Sequence, residues 1–365
     1  MAWDYKIDKV NEISSAIKKA LKEYMENTKV GEVERIINLF EKVTIPVRKG
    51  VVSSSSALFP LEVPREYPLI KPFKDIPEAV EYLRKSNVSI GAIDSSFFNP
   101  GPHVLVPITV ISVGFWYHNY VSGKNGFGIK ADAEPIVENR IKLQLRTRDL
   151  EKEVVEAVIG RLDGDVKVLL LDESLNMSYT LAWASSMRKE MVMKTNAIIR
   201  TCIEEDVIPV GIFYTNARDI TKGLAEINNI PHDVLPPVSD RTLMNIYLKN
   251  RGSRSPVFEV FSRAIADYKE LELVSFYLKI GDRNVVRVEF PEEYKDLASD
   301  IQAIIYAQAV LGGGYPLALQ RAHEAAVISK DERVVIEDLI ANFLKRPSVE
   351  YILSKKASSK RWPLA

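Results

Sequence analysis

Two aspartates stand where apolar segments of the chain end. Asp94 follows the segment VSIGAI, and Asp172 follows VKVLLL. Both segments are typical of buried strands, so each carboxylate is expected at a sheet edge, held by a rigid scaffold. Two neighbouring carboxylates repel unless a cation lies between them, and Mg²⁺ and Mn²⁺ favour such oxygen clusters. The pattern indicates a divalent metal site suited to a phosphodiester; the alternative is that each aspartate caps the next turn.

A glutamate between these strands offers a third carboxylate. Residues 149–162 read as a helix whose buried side is marked by valines. Glu156 lies near that apolar margin, so we predict that it completes the carboxylate set, with Glu153 as its rival on an adjacent face. The alternative is that both glutamates belong to a solvated helix face.

A glycine-rich segment precedes the most distinctive helix of the sequence. In GGGYPLALQRAHEAAV (312–327), Pro316 suits a first helical turn, and Tyr315 and His323 face the same side two turns apart. His323 stands among alanines, where an imidazole either has a structural role or faces a metal or phosphate. The glycines do not form a nucleotide-binding fingerprint, because neither GxGxxG after a strand nor GxxxxGK[ST] occurs.

A segment with strict alternation offers a basic surface. The segment 138–148 alternates between apolar and polar residues, which predicts a strand. From Arg140 to Arg148, one face would carry four cations and no carboxylate, as a nucleic-acid backbone requires. These cations are Arg140, Lys142, Arg146 and Arg148. A solvated strand with salt bridges to a neighbour is the equally weighted alternative.

The order of predicted elements indicates an α/β fold. Residues 3–44 read as helical, and residues 45–88 contain many prolines and a serine run typical of a connecting arm. Strands are predicted at 88–98, 103–119 (one or two), 138–148, 166–172, 207–214, 272–280 and 284–290. Helices are predicted at 149–162, 181–204, 293–310, 316–329 and 333–345. Three strands, a helix and further β and α elements predict a mixed sheet flanked by helices, the order of an RNase H-like fold.

Composition excludes several classes of protein. Lys+Arg and Asp+Glu both number 49, so nucleic-acid binding would need a local basic surface. Cys202 is the only cysteine, which excludes an internal disulfide framework and a cysteine-based zinc site. No apolar run suits a signal peptide or a membrane span, so we expect a cytoplasmic protein without a membrane partner.

Taken together, these motifs resemble the NurA nuclease family from about Gly91 to about Leu344. The resemblance rests on AIDSS, the helical glutamate, LLLDESL, SDRTLMNIYL, RGSRSPVF, VVRVEFP and GGGYPLALQRAHEAA, in the family's order. It implies an RNase H-like core and a 5′→3′ exonuclease and single-strand endonuclease that acts on DNA. The implied cofactor is Mn²⁺, with Mg²⁺ as the alternative. The resemblance further implies a homodimer with a hexameric HerA translocase as partner in end resection and double-strand break repair. The family's catalytic pattern falls on Asp94, Glu156, Asp172, Tyr315 and His323, of which all but the tyrosine would hold metal.

The resemblance also sets the expected domains and the alternatives. We expect an N-terminal helical region and arm over 1–87, the nuclease domain over 88–345 and a basic tail over 346–365. Ser95 and Glu173 stand where the family often has glycine after each aspartate, so they either narrow the site or, for Glu173, add a carboxylate. A DNA-binding or scaffold homologue without turnover is the second hypothesis. An unrelated small-molecule enzyme is the third, and it lacks a cofactor fingerprint.

Overall fold

The structure is a computed structural model. It describes residues 9–20, 30–47, 52–70, 73, 75–98, 108–135, 140–266 and 271–344. Within these ranges no helix is long and apolar enough to cross a membrane.

The described strands form one nine-stranded mixed sheet in the order β1-β7-β8-β9-β6-β5-β2-β3-β4. The strands are β1 (Ser56–Pro60), β2 (Val88–Phe98), β3 (Ile108–Asn119), β4 (Asn125–Pro135), β5 (Val166–Leu171), β6 (Val207–Phe213), β7 (Phe258–Ser262), β8 (Leu273–Gly281) and β9 (Asn284–Pro291).

Helices cover both faces of the sheet. They are α1 (9–20), α2 (Val30–Glu41), α3 (Ile76–Lys85), α4 (Arg140–Ile159), α5 (Ser185–Glu204), α6 (Asp219–Asn228), α7 (Asp240–Tyr247), α8 (Arg263–Ala266), α9 (Ala298–Leu311), α10 (Leu317–Ala326) and α11 (Lys330–Leu344). Two 3₁₀ turns lie at Ser178–Ala182 and Glu292–Leu297. One apolar core lies on the α4 and α5 side, and a second lies on the α9 and α10 side.

The centre of the sheet confirms the predicted RNase H-like fold. β3 runs antiparallel to both β2 and β4, whereas β5 is parallel to β2 and β6 is parallel to β5. Ile93 of β2 pairs with Leu171, the last residue of β5, and β2 continues beyond this pair to Phe98. Asp94 and Asp172 directly follow these two residues, so strand register alone places the two aspartates side by side.

Two glycines allow helices to approach the central strands closely. A Cβ at Gly91 would lie 2.6 Å from Val158 of α4, and a Cβ at Gly114 would lie 2.3 Å from the backbone nitrogen of Ala326 in α10. No side chain fits between the strand and the helix backbone at Gly114. The packing there fixes α10, and therefore His323, over β2 and β3.

The prediction of a strand over 138–148 is wrong. Residues from Arg140 onward begin helix α4, and the third antiparallel strand is β4, in a glycine-containing segment that we did not predict as a strand. The alternation of polar and apolar residues wrongly indicated a strand. The buried residues recur at helical spacings of three and four, through Leu145, Arg148, Glu151 and Val155. The core-facing stripe of α4 therefore includes two charged residues.

Residues before β2 contribute to the main core. β1 is an edge strand that pairs with β7, and Phe40 of α2 is fully buried against Tyr247 and Phe258. The serine run of the predicted arm leads directly into β1. The boundary at residue 87 stays a prediction, and the tail 346–365 lies outside the described residues.

Candidate metal centre

A small cavity lies where the pairing of β2 with β5 ends. It has a volume of about 210 Å³ and is lined by Ile93, Asp94, Ser95, Glu151, Leu171, Asp172 and Glu173. Four of these seven residues are carboxylates. Burial raises the pKa of Asp172, and the charge of Asp94 raises it further. The two aspartates therefore interact electrostatically across the cavity, as the sequence predicted.

Two side chains of the glycine-rich segment hold the aspartates. The Tyr315 hydroxyl donates a hydrogen bond of 2.7 Å to Oδ1 of Asp172. Nδ1 of His323 lies 2.6 Å from Oδ2 of Asp94. Burial raises the pKa of Tyr315, and the neighbouring Asp172 carboxylate raises it further, so the phenol stays protonated and remains a donor. The structure thus brings together the four predicted residues Asp94, Asp172, Tyr315 and His323.

Glu156 does not join this group, and its placement is a correction. Its side chain is 52% exposed and lies 3.6 Å from Lys152, one turn away on α4. The rival, Glu153, forms an exposed ion pair with Lys130 of β4. The third carboxylate of the cavity is Glu151, which is 7% exposed. Our choice was wrong because α4 begins nine residues before the predicted start, so its buried stripe could not be read in full.

Arg148 holds the two glutamates of the cavity. It donates to both oxygens of Glu173, and its Nη1 lies 2.8 Å from Oε2 of Glu151. Burial raises the pKa of Glu151 to about 7, the Arg148 charge opposes this rise, and the charge of Glu173 adds to it. Of the two options for Glu173, the structure supports an added carboxylate, and Ser95 lines the same cavity.

The donors suit a hard divalent cation. Four carboxylates within one small cavity supply the oxygen ligands that Mg²⁺ and Mn²⁺ prefer. Oε2 of Glu151 is buried and makes no well-aligned hydrogen bond with a described residue. In the described ranges, however, no three Asp, Glu, His or Cys side chains already converge as a formed metal site. The chemistry of the side chains therefore fits a metal, and their present contacts are with Tyr315, His323 and Arg148.

The four predicted DNA-binding residues do not share one face. Arg148 is buried among carboxylates and is not available to a phosphate. Arg146 pairs with Asp132 of β4 and lies 3.4 Å from Glu134. Arg140 and Lys142 are exposed in the first turn of α4, and DNA contact stays a prediction for them.

Sequence reasoning missed a buried anchor behind the cavity. Glu289 of β9 is fully buried and accepts hydrogen bonds from the backbone nitrogens of Leu175 (2.8 Å) and Asn176 (3.2 Å). These residues lie two and three positions after Glu173. Arg287 lies 2.6 Å from Glu289 and donates to Asp219 of α6 at 2.9 Å. The only sequence signal was the charged pair in VVRVEF, a strand that is otherwise apolar.

Among the solved structures that resemble this chain, the first described below supports the fold. The NurA nuclease from Sulfolobus solfataricus is 14% identical, with a TM-score of 0.56 over 92% of this chain and 96% of that chain. A NurA structure bound to dAMP and manganese is 12% identical, with a TM-score of 0.42 over 93% of this chain and 98% of that chain. Endonuclease V from Bacillus subtilis is 10% identical, with a TM-score of 0.36 over 76% of this chain and 99% of that chain. No curated protein matches the sequence.

A family model supplies the decisive comparison. The model of the NurA domain matches residues 88–328, which is most of the chain and contains every carboxylate of the cavity. The match begins at the first residue of β2 and ends just after α10, so it spans the elements that position Asp94, Asp172, Tyr315 and His323. The chain therefore belongs to the NurA family.

Proposed function

We propose that this protein is a metal-dependent nuclease that hydrolyses DNA phosphodiester bonds. The observation that supports it best is the gathering of Asp94, Glu151, Asp172 and Glu173 in one cavity of a NurA domain. When bound, a divalent ion would supply charge neutralisation at the phosphate and activation of water. Asp94, within β2, and Asp172, directly after β5, are the residues that would hold it first, with Glu151 beside them.

The remaining residues of the cavity have positioning roles in this proposal. Tyr315 and His323 each orient one aspartate through the hydrogen bonds described above. Arg148 holds both glutamates in place, and its charge opposes the rise that burial causes in the pKa of Glu151. His323 uses Nδ1 toward Asp94, which leaves Nε2 as the ring nitrogen able to meet water or phosphate.

Polarity, metal and partners are further parts of the proposal. On the family resemblance we propose 5′→3′ exonuclease and single-strand endonuclease activity, Mn²⁺ as the preferred metal, a homodimer, and a hexameric HerA-type translocase as partner in end resection and repair. The exposed apolar residues Val10, Ile13 and Ile17 of α1 support an interface there. Light scattering at micromolar concentration tests the dimer, and a mass equal to one chain would contradict it.

The nuclease is tested with end-labelled DNA incubated with the full chain in Mn²⁺, Mg²⁺ or EDTA. We expect degradation that requires metal and that is lost in Asp94→Asn and Asp172→Asn. The second hypothesis, a DNA-binding homologue without turnover, has one observation in its favour: both oxygens of Glu173 are already engaged by Arg148. Binding without cleavage in every metal would support it and would reject the nuclease.

A further inference from the structure

One arginine near the cavity is held by an aromatic ring instead of a carboxylate. Arg241 is the second residue of helix α7, and its guanidinium carbon lies 4.6 Å from the centroid of the Tyr214 ring. Tyr214 directly follows β6 and is 43% exposed. Stacking on a ring holds the planar guanidinium in place and leaves the donors at its edge available.

This pair adjoins the candidate metal centre. The ring of Tyr214 stacks on the ring of Tyr315, with centroids 5.7 Å apart and an interplanar angle of 26°. Tyr315 in turn donates to Asp172. Contacts therefore run without a break from Arg241 to the cavity, through Tyr214, Tyr315 and Asp172.

The charge of Arg241 is not neutralised within the described part of the chain. Its one hydrogen bond there is long, 3.4 Å to the neutral amide oxygen of Asn284, and no described carboxylate lies within ion-pair distance. Other arginines of this region differ, since Arg148 and Arg287 are each held by two carboxylates. A half-buried cation beside a carboxylate cavity, with free donors at its edge, suits an anionic group of the substrate.

We propose that Arg241 binds a backbone phosphate of the DNA strand that enters the cavity, with Tyr214 holding its guanidinium in position. This inference rests on the proposed nuclease function and deepens it. It places a phosphate contact at a cation that two stacked tyrosine rings separate from Asp172. The contact is to phosphate, so it carries no base information and strengthens binding of all sequences alike.

The test measures binding separately from cleavage. A fluorescently labelled single-stranded oligonucleotide is titrated with the full-length protein in EDTA, at several salt concentrations, for wild type and variants. We expect Arg241→Ala to weaken binding about tenfold and to lower the salt slope by about 0.7, as one phosphate contact on a single strand requires. Arg241→Lys should keep the slope and still lose affinity. A lysine ammonium cannot stack on the Tyr214 ring as a planar guanidinium does, and it cannot donate two parallel hydrogen bonds to one phosphate.

Two controls separate this contact from charge loss and from misfolding. Arg251→Ala removes the same charge at an exposed arginine that is engaged by Asp282, and its affinity should stay within about twofold of wild type. Tyr214→Phe keeps the ring and should keep affinity, whereas Tyr214→Leu should lose part of it. Circular dichroism confirms that each variant is folded.

Failure of the inference and failure of the proposed function give different results. If wild type binds and cleaves DNA but Arg241→Ala matches it in affinity and salt slope, the phosphate contact is rejected and the nuclease stands. An effect on turnover with an unchanged salt slope would also overturn the contact, because it would mean that Arg241 acts only on Tyr315. If binding depends on Arg241 and no metal yields cleavage, the contact stands and the nuclease is rejected.

Discussion

Replacing Glu289 by glutamine tests whether a buried charge positions the candidate site. Glu289 has no exposed surface, and its Oε2 accepts from the Ser174 hydroxyl at 3.1 Å as well as from two backbone nitrogens. Its Oε1 accepts from the Asn176 amide at 2.7 Å and lies 2.6 Å from Arg287. Every neighbour of the carboxylate is thus a donor or a cation.

Glutamine keeps the shape of the side chain but must turn its amide nitrogen toward donors. If its oxygen replaces Oε2, its nitrogen faces Asn176 and Arg287, so two contacts are lost and one of them is to a buried cation. The opposite orientation loses three contacts. Because hydrogen bonds to charged groups contribute about 1.5–3 kcal/mol each, we expect a loss of about 3–6 kcal/mol. The melting temperature should fall by about 4–8 °C, at roughly 1.3 °C per kcal/mol for a chain of this size.

Thermal unfolding followed by circular dichroism measures this loss. Ser174→Ala is the matched control, since it removes one contact to the same carboxylate and should cost about 1 kcal/mol. Cleavage by Glu289→Gln, assayed well below its melting temperature, should also fall, because the loop it anchors directly follows Asp172. A loss no larger than that of Ser174→Ala would refute the reasoning and show that the loop is held by other contacts.

Three further predictions concern the carboxylates. Asp94→Asn and Asp172→Asn should abolish metal-dependent cleavage and leave the melting temperature within a few degrees of wild type, and a large loss of stability with activity retained would show that they are structural caps. On α4, Glu151→Gln should reduce cleavage by at least about 100-fold, whereas Glu156→Gln should cleave like wild type. Equal effects of the two substitutions in labelled-DNA assays would contradict the assignment of Glu151 as the third carboxylate. Burial and the charge of Asp219 raise the pKa of Asp240 to about 7, so its stabilising contribution is present below pH 4 and is lost as the pH rises toward 7. Asp240→Asn should therefore flatten the free energy of unfolding across pH 4–7 in urea titrations, and a profile with the wild-type slope would exclude Asp240 as its source.

The nearness of Asp94 and Asp172 was predictable because strand register acts locally. VSIGAI and VKVLLL are apolar runs that a sheet buries on both faces, and a polar residue is expected where each buried run ends. Asp172 directly follows β5, whereas Asp94 lies within β2, which continues to Phe98. Parallel pairing of β2 with β5 then places Asp94 beside Asp172 without help from any other element. The grouping of Tyr315 and His323 was predicted from helical spacing, but Tyr315 precedes α10, so the turn into the helix brings its hydroxyl to Asp172 while His323 reaches Asp94 from α10 itself.

The identity of the third carboxylate was not predictable in this way. The choice among Glu151, Glu153 and Glu156 depends on where α4 begins and on which stripe it buries, and that stripe contains Arg148. A charged residue in a core position contradicts the usual periodicity of apolar residues, so the helix was read as starting nine residues too late. The reason lies in tertiary structure, since Arg148 is stable there only because Glu173, from the end of β5, reaches it.

The balance between carboxylates and donors in the cavity therefore cannot be read from the Asp94 motif or the Asp172 motif alone. Each of its carboxylates is met by one donor from a different element: His323 of α10 for Asp94, Tyr315 before α10 for Asp172, and Arg148 of α4 for Glu151 and Glu173. Four carboxylates and one guanidinium leave a net negative charge, even if His323 is protonated. Burial makes that excess costly, and the raised pKa values of Asp172 and Glu151 report this cost. A divalent cation would offset this excess negative charge directly. Protein donors that neutralised every carboxylate would instead exclude the cation. Because the donors present neutralise the carboxylates only in part, the arrangement argues for a metal.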